Sequence, residues 1–280
     1  MNGRDGLRSL LSTLCGVAAI SLAAAPGALA TTTISNTSLW DGSLVSGFGV
    51  SNCFAPSFLC YTPTYGQTVT VPSTDTTLDS FTFYADLPTN LIFRGEVYAW
   101  DPNTLDPMNS FAMGSATKMA LYVSGPMQTP SYDNGFNPQP ITFNIPGGLP
   151  LTAGMQYVLF ITTSVDFTAN AGVAAGFIGV AGSYPPAPPT DTYSGGDEVY
   201  VDDTGDPSQW TTKGWTHPAL FPTTFFQDDL AFKASFSSPL PTSKAQCMNG
   251  GWKNFGTTFK NQGDCVSFVA SGGKNPPSGP

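Results

Sequence analysis

The stretch GQTVTVPSTDTTLDSFTFYADLPTNLIFRGEVYAWD, residues 66–101, gives the clearest structural signal in this sequence. Two runs within it alternate in side-chain character with a period of two residues, which is the pattern of a strand with one buried face. Phe81 and Phe83 share one face of the first run, and Phe93 and Val97 share one face of the second. The turn-forming sequence Asp-Leu-Pro-Thr-Asn separates the runs. We therefore predict two strands whose apolar faces lie beside each other in a core.

Strand-like runs with turn residues between them recur over residues 31–237, and no segment keeps an apolar period of 3.6 residues. This pattern favours an all-β fold over alternating strands and helices. We predict an antiparallel β-sandwich, jelly-roll-like, with a small disulfide-bonded C-terminal module. The predicted organisation, in chain order, is a signal peptide (1–30), the β-sandwich domain (31–237), a linker (238–243), the small Cys-containing module (244–270) and a disordered tail (271–280).

The N-terminus has the three parts of a secretory signal. Arg4 and Arg8 are positive, residues 10–25 are apolar, and Ala-Leu-Ala at 28–30 is a cleavage site that makes Thr31 the first mature residue. A transmembrane helix is the alternative, but the apolar run is short and ends at a Pro-Gly pair. We expect a secreted, extracellular bacterial protein with no transmembrane span after cleavage.

The chain of 280 residues has a net charge of −9, and only 10% of its residues are charged. An acidic surface with few Lys and Arg residues repels phosphate backbones, so nucleic acid is not an expected partner.

Four cysteines remain after signal cleavage, and an even number in an exported chain predicts disulfides. Cys53, Cys60, Cys247 and Cys265 can pair in three ways, of which the close spacing favours Cys53–Cys60 and Cys247–Cys265. A metal site is the alternative. Neither pair has CxxC spacing and the chain has a single His, which disfavours it.

Two parts of the chain are similar to known classes of exported bacterial protein. The succession GQTVTVP, LDSFTFY, FRGEVYAWD, ALYVSG, LPLTAGMQYVLFITTS and DLAFKASF resembles β-sandwich domains of the choice-of-anchor type over about residues 31–237. The resemblance implies a β-sandwich in an extracellular setting and no defined reaction. Anchored members end in an apolar helix with a basic cap, whereas this sequence ends NPPSGP.

The motifs CMNGGW and FKNQGDCVSFV, within residues 247–269, resemble a short module found at the end of many otherwise unrelated exported bacterial proteins. This second resemblance implies location without known chemistry.

The opposite face of the second run carries Arg94, Glu96, Tyr98 and Trp100. Aromatic rings stack on the apolar faces of sugars, and Arg and Glu bond to hydroxyl groups, so this row is the candidate ligand-binding face for a glycan. The alternative is an ordinary outer face, with an Arg94–Glu96 ion pair and Trp100 covering a loop.

Asp202, Asp203 and Asp206 form the candidate metal site, because Ca²⁺ takes six to eight oxygen ligands. Their spacing is not that of an EF-hand, and a solvated acidic loop with Asp turns is the alternative. We predict no cofactor besides this candidate structural calcium.

Catalytic motifs are absent. His217, the single histidine, lies in a Thr-His-Pro turn, and there is no G-x-S-x-G sequence for a serine nucleophile. We predict a non-enzymatic binding or structural protein at or outside the cell surface, whose partner is a glycan or a cell-surface or matrix component. The alternative is a carbohydrate-active hydrolase that uses Glu96 or Glu198.

Overall fold

The computed structural model describes residues 31–42, 45–50, 62–103, 112–130, 137–183, 191–217 and 226–279. The predicted signal peptide and the predicted Cys53–Cys60 pair lie outside these residues. Most of the regular structure of the described residues is β-strand, which confirms the all-β prediction.

Thirteen strands and two short α-helices are formed by the described residues. The strands, in chain order, are β1 (Thr31–Ser35), β2 (Val45–Phe48), β3 (Thr64–Thr70), β4 (Thr77–Asp86), β5 (Arg94–Asp101), β6 (Ala112–Val123), β7 (Gln139–Pro150), β8 (Gln156–Thr162), β9 (Gly176–Ser183), β10 (Glu198–Val201), β11 (Trp215–Thr216), β12 (Phe226–Leu230) and β13 (Phe232–Ser237). The α-helices are α1 (Lys244–Cys247) and α2 (Gln262–Ala270), and short 3₁₀ helices occur at Ser164–Asp166, Pro207–Thr211 and Gly251–Phe255.

The strands form two sheets. The first, called the open sheet here, has seven strands in the order β1-β13-β4-β9-β12, with β2 added to β9 and β7 added to β4. The second, called the closed sheet, joins β10, β11, β6, β5, β8 and β3 into a ring of six strands. The described pairings between strands of both sheets are antiparallel. The predicted jelly-roll sandwich is not confirmed, because one of the two sheets closes on itself.

The main core lies between the open sheet and the outer face of the closed sheet. Phe81, Phe83, Phe93 and Val97 are each no more than 1% exposed in this core, as the alternation in the sequence predicts. The rings of Phe81 and Phe143 stack with centroids 4.8 Å apart. Burial of such aromatic side chains is the dominant stabilising contribution in a core of this kind.

A second core, called the inner core here, fills the closed sheet. Successive residues of a strand point to opposite faces, so Leu159 of β8 lies in the main core while Val158 and Phe160 lie in the inner core. Gly66 of β3 makes room in this interior, since a Cβ there would lie 2.7 Å from Val158 and 3.2 Å from the Trp215 ring. The closed sheet is therefore packed with side chains on both of its faces.

The C-terminal module has its own small core. The Cys247–Cys265 disulfide joins α1 to α2 across a Cα–Cα distance of 5.7 Å, which confirms the predicted pairing. Phe255 and Phe259 pack edge to face beside it. The segment predicted as a disordered tail folds back on this module, since the Ser278 amide donates a hydrogen bond of 2.9 Å to the Asp264 carboxylate.

Candidate functional site

The predicted ligand-binding face lies on the inside of the closed sheet. Glu96, Tyr98 and Trp100 are only 2%, 9% and 6% exposed, and Glu96 stands opposite the inner-core residue Phe160. The expectation that this face is exposed is therefore wrong. Both faces of β5 are covered, one by the main core and the other by the inner core, because the sheet closes.

Two tryptophans from late in the chain cover the aromatic residues of this face. The Trp100 ring lies edge to face against Trp215, with centroids 6.0 Å apart, and Tyr98 meets Trp210 in the same way at 6.2 Å. The Trp215 indole N–H donates a hydrogen bond of 2.8 Å to the Trp210 backbone carbonyl, which ties the Trp215 ring to the chain at Trp210. The aromatic rings predicted to stack on sugars therefore pack against protein side chains.

Arg94 pairs with Asp166, whereas the alternative interpretation of this face expects an Arg94–Glu96 ion pair. Its Nε lies 2.8 Å from Asp166 Oδ2 and its Nη2 lies 3.1 Å from Oδ1. Burial raises the pKa of Glu96 to about 7, and the hydrogen bond from Tyr98 and the charge of Arg94 oppose this shift. Burial and the neighbouring Glu96 together raise the pKa of Tyr98 to about 12. Glu96 is thus a largely protonated buried group at mildly acidic pH.

Asp203 is the centre of a buried hydrogen-bond network at one end of the inner core. Its Oδ2 accepts hydrogen bonds from the Thr64 hydroxyl at 2.7 Å and from the Trp210 indole N–H at 2.5 Å. Its Oδ1 accepts from the Ser164 hydroxyl and from the Gly205 amide. Four donors therefore satisfy a carboxylate that is 0% exposed.

The three carboxylates of the predicted calcium site do not converge. Asp203 faces inward to its network, whereas Asp202 and Asp206 are exposed. Asp206 caps the 3₁₀ helix Pro207–Thr211 by accepting a hydrogen bond of 3.0 Å from the Ser208 amide. Among the described residues, no group of three or more His, Cys, Asp or Glu side chains is placed to hold a metal ion. The geometry does not support calcium at these three positions, because one of them is a saturated core residue.

The two carboxylates of the hydrolase alternative lie on opposite faces of the closed sheet. Glu198 of β10 stands opposite Gln67, and Gln67 stands opposite the main-core residue Leu159. Glu96 belongs to the next row, which faces the inner core. An acid and base pair must flank one scissile bond, so Glu96 and Glu198 do not form such a pair.

His217 follows β11 directly and is 7% exposed. Its Nε2 lies 4.0 Å from Asp197 Oδ1 and has no hydrogen-bond partner within the described part of the chain. The structure thus places this histidine beside a carboxylate but does not show the hydrogen-bonded relay of a catalytic triad.

A second buried network was not predicted from the sequence. Asp229 of β12 is 0% exposed and accepts hydrogen bonds from the Gln67 amide at 2.8 Å and from the Thr192 hydroxyl at 2.7 Å. The network extends to Asn36, whose side-chain amide donates a hydrogen bond of 3.0 Å to the Thr192 hydroxyl. Burial raises the pKa of Asp229 to about 7, although these hydrogen bonds act to lower it. No local sequence signal links these residues, because they come from four distant segments.

Two surface cavities stand apart from both networks. The first, called the neutral cavity here, has a volume of about 330 Å³ and lies between the segment after β6 and the start of β7. It is lined by side chains without charge: Ala85, Phe93, Met127, Gln128, Thr129, Pro130, Gln139, Pro140, Ile141 and Thr142.

The second, called the acidic cavity here, has a volume of about 430 Å³ and lies where the chain leaves β13 for the C-terminal module. Among its described lining residues, Asp79 provides the one carboxylate and there is no Lys, Arg or His. Neither cavity is predictable from the sequence, since each is assembled from separate strands and the segments that follow them.

Comparison with protein-family models, with curated proteins and with solved structures finds no match to this chain. Over the described residues, no helix has both the length and the apolar character needed to cross a membrane.

Proposed function

We propose that this chain is a secreted, non-enzymatic β-sandwich-like binding protein that takes a neutral, hydroxyl-rich ligand of the glycan type in the neutral cavity. The single observation that carries the proposal is the chemistry of that cavity. Its described lining residues offer amides and hydroxyls beside apolar surface, and none of them has an ionisable side chain. Binding pockets commonly combine an apolar wall with a few polar groups that fix orientation.

Gln128 is the polar group best placed to meet a ligand. Its side chain is exposed and has no hydrogen-bond partner within the described residues. The other polar groups of the lining already have partners: Thr129 donates to the Leu87 carbonyl at 2.7 Å, and the Thr142 hydroxyl lies 2.9 Å from that of Thr82. The Gln139 amide nitrogen donates to Asn137 at 3.0 and 3.1 Å. A ligand that accepts and donates through hydroxyls therefore meets the free Gln128 amide beside polar groups that are already hydrogen-bonded.

The burial of Glu96 and Glu198 supports a non-enzymatic function. The two residues are 2% and 0% exposed and lie on opposite faces of one sheet. The raised pKa of Glu96, about 7, is a property that general acids of glycosidases share. That property keeps the carbohydrate-active hydrolase as the second candidate, but a glycan has no access to this carboxyl in the closed sheet.

The proposal also rests on the resemblance to exported bacterial choice-of-anchor domains and to the short C-terminal module. Both resemblances imply an extracellular setting at or near the cell surface. A glycan or another neutral component of the surface or matrix is the partner that such a setting supplies.

A glycan array with a parallel hydrolase screen tests the proposal. We expect the protein to bind one or more uncharged glycans without releasing sugar from them. Release of sugar that is lost in Glu96→Gln would support the hydrolase instead.

A further inference from the structure

The acidic cavity is built by an irregularity in two paired strands. The register between β4 and β7 shifts at Asp79, from Leu78 opposite Leu149 to Ser80 opposite Asn144. Residues 145–148 of β7 therefore stand opposite Asp79 alone, which interrupts the ladder of backbone hydrogen bonds at this point. Gly148, with a φ of 70°, lies against the Asp79 side chain, since a Cβ there would lie 3.2 Å from Asp79 Oδ1 and 2.3 Å from Thr77 Cγ2. A glycine at this position therefore keeps open the space beside the carboxylate.

The Asp79 carboxylate is only half satisfied. Its Oδ1 accepts a hydrogen bond of 3.0 Å from the Ser237 hydroxyl, and Oδ2 has no hydrogen-bond partner within the described residues. Burial raises the pKa of Asp79, and the charge of the nearby Asp75 adds to this effect. Asp75 itself is saturated by the hydroxyls of Thr32 and Ser238, each at 2.6 Å. The wall thus presents one open carboxylate oxygen next to a second acid, without a basic side chain among the lining residues.

Apolar side chains surround this charge. Ile145, Pro150, Pro239 and Leu240 line the same cavity, and Leu240 is 38% exposed. Such a surface fits the methylene chain that leads to a charged head, since long amines bury their stems on apolar surface and extend the charge to a polar group.

Because only one oxygen of the Asp79 carboxylate lacks a partner within the described residues, the site should bind some kinds of cation better than others. A guanidinium group pairs best with two carboxylate oxygens at once, whereas an ammonium group acts as a compact point charge. A divalent metal requires several oxygen ligands, and the described residues contain no such group at this position.

We propose that the acidic cavity binds an alkylammonium group. The Asp79 carboxylate pairs with the ammonium charge, and the side chains of Leu240 and Ile145 contact the alkyl chain. The group can come from a free diamine or from a lysine side chain of a partner peptide. The site is separate from the neutral cavity and shares no lining residue with it.

Titration of the full mature protein followed by NMR tests this site. The probes are pentane-1,5-diamine, a capped Gly-Lys-Gly peptide, and the same peptide with Arg or norleucine in place of Lys. We expect saturable shifts with the Lys peptide and with the diamine, none with norleucine, and binding of the Arg peptide weaker by about tenfold. Binding of the diamine alone would assign the site to a free amine, and binding of the Lys peptide alone would assign it to a protein partner.

Asp79→Asn keeps the shape of the side chain and removes its charge, so we expect it to weaken binding by about tenfold, as for the loss of a charge-assisted hydrogen bond. Asp202→Asn is the matched control, because Asp202 is exposed and is not among the residues that line the cavity. A circular dichroism melt of both variants verifies that they fold. Wild-type protein that gives no saturable shift, an Asp79→Asn variant that binds as wild type does, or a norleucine peptide that binds as well as the Lys peptide would each overturn the proposal. None of these outcomes affects the neutral cavity.

Discussion

The Trp210 indole nitrogen lies 2.5 Å from Asp203 Oδ2 and donates a hydrogen bond to it inside the closed sheet. This contact ties the short 3₁₀ helix that carries Trp210 to the aspartate just after β10. Because Trp210 also packs edge to face on Phe160, at 5.0 Å between centroids, the same bond positions the aromatic cover of the inner core. A carboxylate predicted as a calcium ligand is instead a structural acceptor.

Replacing Asp203 by Ala removes the acceptor of four hydrogen bonds at once. The hydroxyls of Thr64 and Ser164 and the Trp210 indole N–H would then be buried without this partner. The Thr64 hydroxyl stays within 2.7 Å of the Thr162 hydroxyl and 3.2 Å of the Ser164 hydroxyl, so these groups keep other partners. A hydrogen bond to a charged group contributes about 1.5–3 kcal/mol, and we therefore expect the free energy of unfolding to fall by about 2–4 kcal/mol. Urea denaturation measures this loss. The exposed Asp202→Ala should change stability by less than about 0.5 kcal/mol, and an equal effect of the two variants would contradict the network.

Stability should decrease between about pH 4 and pH 7. Burial raises the pKa of Glu96 and of Asp229 to about 7 in the fold, above their ordinary values of 4.5 and 3.8. Within that window the folded protein keeps protons that the unfolded chain has lost. The resulting stabilisation is complete below the unfolded-state pKa values and is lost as the pH rises through about 7. The loss amounts to about 3 kcal/mol for Glu96 and about 4 kcal/mol for Asp229, at about 1.4 kcal/mol for each pKa unit.

Urea denaturation at successive pH values measures this slope. Glu96→Gln keeps an acceptor for Tyr98 but cannot titrate, so we expect it to remove the Glu96 share of the slope. The exposed Asp202→Asn should retain the slope. A wild-type protein that becomes more stable from pH 4 to pH 7 would show that the two buried carboxyls do not control its pH dependence.

Gly95→Ala tests the packing of β5 against the open sheet. A Cβ at Gly95 would lie 2.3 Å from Cδ1 of the buried Phe143 ring, so the ring or the strand must move. Overpacking of this kind costs about 1–3 kcal/mol. Gly125→Ala is the matched control, since nothing lies within 4 Å of the added Cβ. Thermal melts that fall equally for both variants would argue against this close contact.

Removal of the Cys247–Cys265 disulfide should loosen the C-terminal module and leave the two sheets intact. The bond closes a loop with a sequence separation of 18, and a loop of that size corresponds to about 3 kcal/mol in the chain-entropy model. The module has a separate apolar cluster, so its opening need not disturb the main core. In Cys247→Ala/Cys265→Ala we expect faster proteolysis within residues 244–270 and an unchanged melt of the β domain. A melt lowered as a whole would show that the module and the domain unfold together.

The sequence predicted one face of β5 correctly and the other wrongly, for one physical reason. Alternation identifies Val97 as a core residue, but it cannot tell whether Glu96 and Tyr98 on the other face meet water or a second core. That depends on Trp210 and Trp215, which lie more than a hundred residues away in the chain. The closure of a sheet into a ring therefore cannot be recognised from the pattern of neighbouring residues in the sequence.

The disulfide of the C-terminal module was predictable because it joins neighbours in sequence. The networks of Asp203 and Asp229 were not, since their partners are set by strand register: Thr64 lies 139 positions from Asp203, and Gln67 lies 162 positions from Asp229. The neutral cavity is hidden from the sequence in the same way, because its two walls belong to separate segments.

A calorimetric titration of the best uncharged glycan from the array tests the central claim most directly. Gln128 contributes the free amide of the neutral cavity, so Gln128→Ala should weaken binding by about tenfold, which corresponds to about 1.4 kcal/mol for a lost hydrogen bond. Gln156→Ala, on β8 and outside the cavity lining, is the matched control and should bind as wild type does. Equal affinity of wild type and Gln128→Ala, or an array on which no uncharged glycan binds, would contradict the proposed function.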